Sequence, residues 1–278
     1  KALFSFLELV TEIVIRFGRY MVIPLMFFTA VIAFNRLRDT KLLIKTGYWI
    51  GGVIVASSFL LTIVGLISIL IARIPRIPIT VEKIPEIASL HIDDLLKSLF
   101  PFSAFDTLNN GTFLLSAYFF AMLVGTASTS DPVLFRPITQ LADSLSKLMY
   151  KITVLFTEMF SVGMIAILCS WTIQFKDIIL SGVYNPLILV LLIDFVVVAG
   201  IIYPLILKYL CHDPHPYKVL YASICSLITA FFSGDSNLVL PLNIRHGKES
   251  LGIRRRINGV SQPLFSIFAR GGSALVTT

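Results

Sequence analysis

The segment from Val219 to Arg245 most constrains the fold of this chain, because neither of its two apolar arms is long enough to cross a bilayer. Sixteen residues without a charge (219–234) lead into Gly234-Asp235-Ser236-Asn237, and a shorter apolar run continues to Ile244. A helix needs about 20 apolar residues to cross. Two short arms around a polar tip predict a re-entrant hairpin, and non-helical backbone at membrane depth is tolerated only inside protein or beside a cavity. The segment therefore predicts a transporter or a channel.

Composition assigns the rest of the chain to the membrane, since 56% of the residues are hydrophobic and 14% are charged. The net charge of +7 is not the mark of a nucleic-acid partner, because the cationic residues lie in short loops between apolar segments. Three widely spaced cysteines form no C-x-x-C pair, so we expect neither a disulfide framework nor a metal site. Walker, G-x-G-x-x-G and G-x-S-x-G motifs are absent from the sequence, and we predict no enzymatic activity.

Continuous apolar length predicts an all-α, multi-pass protein of the cell membrane, either inner or plasma membrane. Pro24 predicts a kink in the first span. A short amphipathic helix is expected at 92–100, and the last apolar segment, from Val260, is interrupted by Arg270-Gly271-Gly272. The five predicted spans cover residues 3–34, 47–72, 112–130, 149–174 and 178–207.

Basic loops predict the orientation of these spans. The first connection is rich in arginine and lysine with a single acid, and is therefore expected to be cytoplasmic. Alternation then places the loop with Lys208 and Lys218 on the cytoplasmic side, and the loop from Arg245 to Arg256 is basic as well. Two successive cytoplasmic loops flank one apolar block, so that block enters and leaves the membrane on the same side. Charge thus supports re-entry independently of length.

Ionisable residues at membrane depth are costly and suggest function. Asp235 at the hairpin tip and Arg270 in the glycine-interrupted segment each lie beside predicted broken helix. Two interpretations are open for them, a mutual ion pair or direct contacts with substrate or a coupling ion. Asp194 in the fifth span is either a proton relay or, as we favour, a cap for a neighbouring helix end.

Five stretches of sequence resemble the dicarboxylate/amino acid:cation symporters, the family of the glutamate transporters. They occur in the family's order, and the match covers nearly the whole chain. The stretches are Met21 to Phe27, with its Met-Val-x-Pro run; Asn109-Asn110-Gly111 with Phe119 to Gly125; Leu148 to Ile152; His212-Asp213-Pro214; and Thr229-Ala230-Phe231 with Leu240-Pro241 and Arg245.

The resemblance implies a glutamate-transporter fold that works as an elevator, in which one domain carries substrate past a fixed scaffold. It implies scaffold spans in 1–46 and 73–177, the latter with an extracellular loop, and a transport domain made of 47–72 and 178–278. A homotrimer in the lipid bilayer, a small organic anion or amino acid as substrate, and symport are implied too. By the same comparison, the family's first span would precede Lys1, and its second hairpin and last span would follow Thr278.

The site implied by the resemblance departs from the family pattern. Three serines of the family's hairpin tip correspond to Asp235, Ser236 and Asn237, and an Asn-Met-Asp-Gly-Thr motif corresponds to residues 269–273. These alignments make Asp235, Ser236, Asn237, Arg270 and Ser273 the candidate substrate-binding residues.

Two sodium ligands of the family become Ala269 and Gly271, and the third span keeps only Ser57 or Ser58 where the family has tyrosine and threonine. A hard cation needs oxygen ligands, so these departures argue against sodium coupling at this site. Our hypothesis is that an ion pair between Asp235 and Arg270 replaces the bound ion. The sequence leaves open whether sodium, a proton or no cation drives transport. It also leaves open two other functions for the same fold, an anion-conducting pore and a non-transporting sensor.

Overall fold

The computed structural model describes residues 2–37, 40–72, 92–109, 114–176, 180, 182, 184–269 and 271–277, and every regular element in these ranges is a helix. In chain order the helices are α1 (Ala2–Tyr20), α2 (Val22–Arg36), α3 (Thr40–Ala72), α4 (Ile92–Leu99), α5 (Asp106–Asn109), α6 (Leu114–Ala127), α7 (Arg136–Gln174), α8 (Asn185–Val197), a π-helical turn (Val198–Ile202), α9 (Tyr203–Tyr209), α10 (Pro216–Ser233), α11 (Ser236–Glu249), α12 (Arg255–Phe268) and α13 (Gly271–Thr277).

Three helical stretches among the described residues are long and apolar enough to cross a membrane: Phe6–Arg36, Leu42–Ala72 and Asn185–Tyr209. They correspond to the first, second and fifth predicted spans. The third predicted span is represented by α6, whose 14 residues reach only about 21 Å, less than the thickness of a hydrocarbon core. The fourth belongs to the 39-residue α7, which begins well before the predicted Met149. The amphipathic helix expected at 92–100 is present as α4.

The predicted kink in the first span appears as a break at Met21, between α1 and α2. Pro24 lies in the first turn of α2 and has no amide N–H, so it cannot bond to the carbonyl of Tyr20. The missing bond falls one turn before the proline, which is why the break precedes Pro24.

Helix α2 lies at the centre of the hydrophobic core. Leu25, Met26 and Ala30 are fully buried, and α2 packs against α6, α7, α11 and α12. The approach of α12 is close, because a Cβ atom at Gly259 would lie 2.9 Å from the carbonyl oxygen of Thr29. A larger residue at this position would force the two helices apart.

The predicted fifth span is made of α8, the π-helical turn and α9, and it contacts α3. Asp194 is buried in α8, and its carboxylate accepts a short hydrogen bond from the Ser68 hydroxyl of α3. This contact joins two helices side by side and is not the helix-end cap that we favoured from the sequence. Pro204 follows the π-helical turn, and the carbonyl of Gly200 accepts a hydrogen bond of 3.4 Å from the Tyr217 hydroxyl of α10.

Helices α10 and α11 pack against each other and are joined by a two-residue turn. Gly234 ends α10 with φ of 62°, a left-handed conformation that glycine adopts without steric cost. Asp235 is extended and caps the N-terminus of α11. The chain therefore reverses at the polar tip identified from the sequence.

Candidate functional site

Asp235 uses its two carboxylate oxygens for different contacts. Its Oδ1 accepts a hydrogen bond of 2.9 Å from the backbone N–H of Asn237, which is the N-cap bond of α11. Its Oδ2 accepts from Arg19 of α1, at 2.9 Å from Nε and 2.7 Å from Nη2. The cation that pairs with Asp235 in this structure is therefore Arg19. Arg270 lies outside the described residues, so its pairing with Asp235 stays a prediction.

Ser236 and Asn237 contact α12 through Ser266. The Ser236 hydroxyl donates to the backbone carbonyl of Ser266 at 3.3 Å. In return, the Ser266 hydroxyl lies 3.2 Å from the carbonyl of Ser236 and 3.0 Å from Oδ1 of Asn237. The predicted tip residues Asp235, Ser236 and Asn237 are thus brought together and held against α12.

The tip also faces α7, because a Cβ atom at Gly234 would lie 3.8 Å from the Trp171 ring. Asp235 and Arg19 cancel in charge, so the polar groups that remain are the hydroxyls of Ser236 and Ser266 and the amide of Asn237. Within the described part of the chain, the Nδ2 group of Asn237 has no acceptor. The Nδ2 group of Asn237 can therefore donate to a small polar molecule, such as one that carries a carboxylate.

Ser273, the fifth predicted residue, lies on α13, which packs against α3. Sequence reasoning missed two residues, Arg19 and Ser266. The role of Arg19 could have been inferred from the sequence, because a cation within an apolar span needs an ionic or hydrogen-bonding partner. For Ser266 the sequence offered only its position, four residues before Arg270.

One of the residues aligned with the family's sodium ligands, Gly271, lies against an apolar side chain. A Cβ atom at Gly271 would lie 2.5 Å from the Leu61 methyl carbon Cδ1, so an apolar group occupies the space that a ligand side chain would need. The Ser57 hydroxyl lies 3.5 Å from the Tyr203 hydroxyl, which ties α3 to α9. Among the described residues, no group of three or more His, Cys, Asp or Glu side chains could hold a metal ion.

Helices long and apolar enough to cross a membrane, and a polar tip bonded to a neighbouring helix near its end, are features expected of a membrane transport protein. The model of the sodium:dicarboxylate symporter family matches residues 1–278, and the chain belongs to that family. No curated protein matches it. Members of the family are transporters, so the protein is not an enzyme, and the family predicted from the sequence is confirmed.

Proposed function

We propose that this protein moves a small organic anion or amino acid across the membrane by secondary active transport. The observation that carries the proposal is the reciprocal bonding of Ser236 and Asn237 with Ser266. It joins the polar tip to α12 just before the helix ends at Phe268. Interrupted helices that meet in this way form the substrate sites of many transporters.

In this proposal the substrate binds at the tip. The Asn237 Nδ2 group donates to its carboxylate and the Ser236 hydroxyl oxygen accepts from its polar hydrogens, while Arg270 and Ser273 complete the site from the following segment. Asp235 keeps Arg19 close without adding net charge, so an anionic substrate meets no repulsion from the tip carboxylate. We assign the α10–α11 pair as the re-entrant hairpin predicted from the sequence, and its support is that neither helix is among the three described stretches long and apolar enough to cross a membrane.

An elevator mechanism fits the division of the chain that the resemblance implies. Residues 47–72 and 178–278 form the moving transport domain, and the contacts of α3 with α8, α12 and α13 support this grouping. Residues 1–46 and 73–177 form the scaffold, which we propose assembles as a homotrimer. The Arg19–Asp235 ion pair then crosses the moving interface and favours the conformation in which it forms.

Coupling by sodium is not part of the proposal, because Ala269, Gly271 and Leu61 supply no oxygen ligand from their side chains. Coupling to a proton fits the chain better than coupling to sodium, and an uncoupled carrier or an anion-conducting pore is the alternative. The buried carboxylate of Asp194, bonded to Ser68, is the group in the described part of the chain best suited to carry a proton.

The test is uptake of radiolabelled dicarboxylates and amino acids into proteoliposomes under imposed sodium, proton or zero gradients. We expect accumulation that does not depend on sodium and that Ser266→Ala reduces at least tenfold. Ser226→Ala is the matched control, because Ser226 is a buried serine of α10 whose hydroxyl has no hydrogen-bond partner among the described residues.

Steep sodium-dependent uptake would refute the coupling assignment, and equal losses in both serine variants would refute the site. Ligand binding without uptake under any gradient would instead identify a non-transporting sensor.

A further inference from the structure

A second polar feature lies at the opposite end of α11 from the tip. A cavity of about 440 Å³ opens between α2, α7, α11 and α12. Its walls are mainly apolar, but four cationic side chains line it: Lys147 and Lys151 from α7, Lys248 from α11 and Arg255 from α12. Among the described side chains that line it, none is a carboxylate. The cavity is therefore both apolar and strongly positive.

The neighbouring Asp143 neutralises only part of this charge. Its carboxylate lies 3.0 Å from Arg36, 2.7 Å from Lys147 and 3.1 Å from Arg255. Burial raises the pKa of the Asp143 carboxyl, but the hydrogen bond from Lys147 and the charges of Arg255 and Arg36 outweigh burial and hold the pKa below its usual range. One permanent negative charge thus faces three positive ones.

The other nearby acid is already engaged. Glu249 accepts a short hydrogen bond from the Tyr150 hydroxyl and one of 3.0 Å from Arg245, and these bonds lower the pKa of Glu249. Lys248 lies 4.3 Å from the centre of the Tyr150 ring, a cation–π contact that leaves its charge in place. Lys151 has no carboxylate partner within the described ranges. Excess positive charge therefore remains at the cavity.

An anionic group would complete this cluster, because like charges gathered around one cavity repel one another, although solvent partly screens Lys147, Lys151 and Lys248. A free inorganic anion would use the cations and leave the apolar walls unused. A phospholipid matches both the cations and the apolar walls, since its phosphate binds lysine and arginine while its acyl chains cover apolar surface. Basic pockets between membrane helices bind anionic headgroups in this way.

We propose that the cavity between α2, α7, α11 and α12 binds an anionic phospholipid, with the phosphate held by Lys151, Lys248 and Arg255. Its rim lies beside the basic loop 245–256, on the side of the membrane predicted to be cytoplasmic, where anionic lipids are abundant. Arg255 is fixed in position by a 2.8 Å hydrogen bond to the Ser146 hydroxyl. Asn258 of α12 donates to the Ile244 carbonyl of α11 at 2.8 Å, which holds together the two helices on one side of the cavity. The assignment does not depend on transport.

The experiment compares lipid binding to the full chain in non-ionic detergent by native mass spectrometry and thermal melting. The probes are phosphatidylglycerol, phosphatidylcholine and inorganic phosphate. We expect phosphatidylglycerol to bind most tightly and to raise the melting temperature, with affinity that falls as salt rises. The double variant Lys151→Gln/Lys248→Gln should bind it about 30-fold more weakly, because each basic residue near an anionic headgroup contributes about fivefold.

The matched control is Lys45→Gln/Lys208→Gln, which removes the same charge from exposed positions outside the cavity. It should bind phosphatidylglycerol as the wild type does. Equal binding of phosphatidylcholine, or an equal loss in the control, would overturn the site. A full thermal shift with inorganic phosphate alone would overturn the lipid assignment. The salt dependence of the wild type tests the proposal without any variant.

Discussion

The charged groups around the two ends of α11 differ in number and balance. At the N-terminal end, the carboxylate of Asp235 faces the single guanidinium of Arg19 and the helix N-terminus. Near the C-terminal end, the carboxylate of Asp143 faces three cations, and two more lysines line the cavity beside it. The 14 residues of the helix separate these environments by about 21 Å.

This difference in charge determines which kind of molecule each end of α11 can bind. A neutral tip with free hydrogen-bonding groups accepts and releases a polar molecule without a large electrostatic penalty. A positive cavity retains an anion, because release restores the repulsion among its cations. The first arrangement suits a transported substrate, and the second suits a resident lipid.

The largest effect is expected at the tip. Asn237→Ala should lower transport at least tenfold, because it removes the amide donor offered to substrate, and a hydrogen bond to a charged group is worth about 1.5–3 kcal/mol. The fold should lose only about 1 kcal/mol, since the N-cap bond uses the backbone of this residue and only the 3.0 Å bond from the Ser266 hydroxyl to its side chain is removed. Uptake and thermal melting of the same preparations check this. An unchanged uptake rate would remove Asn237 from the site.

A smaller effect, on stability, is expected at the cavity end. Asp143→Asn leaves Arg36, Lys147 and Arg255 without their shared carboxylate and should destabilise the fold by about 1–2 kcal/mol, between the values for exposed and buried pairs. A carboxyl whose pKa is lowered on folding stabilises at pH above its unfolded value and loses this contribution as pH falls through the folded value.

The stability difference between Asp143→Asn and the wild type should therefore be constant from about pH 5 to 8 and shrink below about pH 4. Thermal melts across this range measure it. A difference that already vanishes at pH 6 would contradict the ion-pair assignment.

Arg19→Gln should cost less than about 1 kcal/mol, because the Arg19 side chain is 64% exposed and solvent screens the pair. Arg19→Gln should impair uptake even though it changes stability little, since Asp235 then adds an unbalanced negative charge to the tip. Comparing uptake of an anionic and a zwitterionic amino acid separates the two effects. Equal losses for both substrates would contradict the proposed neutral tip.

The smallest change is expected for Arg245→Gln, about 0.5 kcal/mol or less, because Arg245 and Glu249 form an i,i+4 pair at a partly exposed position. This variant lies close to the cavity but not in its lining. Thermal melting should therefore distinguish it clearly from Asp143→Asn. A similar loss in both would mean that general charge, and not the Asp143 cluster, stabilises this end.

The sequence predicted the features that depend on length and local chemistry. The apolar runs located α3 and α8, and Gly234-Asp235 located the chain reversal. Contacts between distant segments could not be predicted, because the sequence of a span does not indicate which of its faces packs against which neighbouring helix. Arg19 and Asp235 are 216 positions apart, and Asp143 and Arg255 are 112 apart. The favoured role of Asp194 failed for the same reason, since its partner Ser68 is 126 positions away.

The π-helical turn at Val198–Ile202 has a consequence for the register of the chain. Such a turn holds one more residue than an α-helix would over the same rise. If the same residues formed a regular α-helix instead, Tyr203 would be rotated by about 100° relative to α8, since each residue advances an α-helix by that angle. Tyr203 would then turn away from Ser57, and Gly200 from Tyr217. A single inserted residue thus sets the angular phase that joins α3 and α10 to the same span.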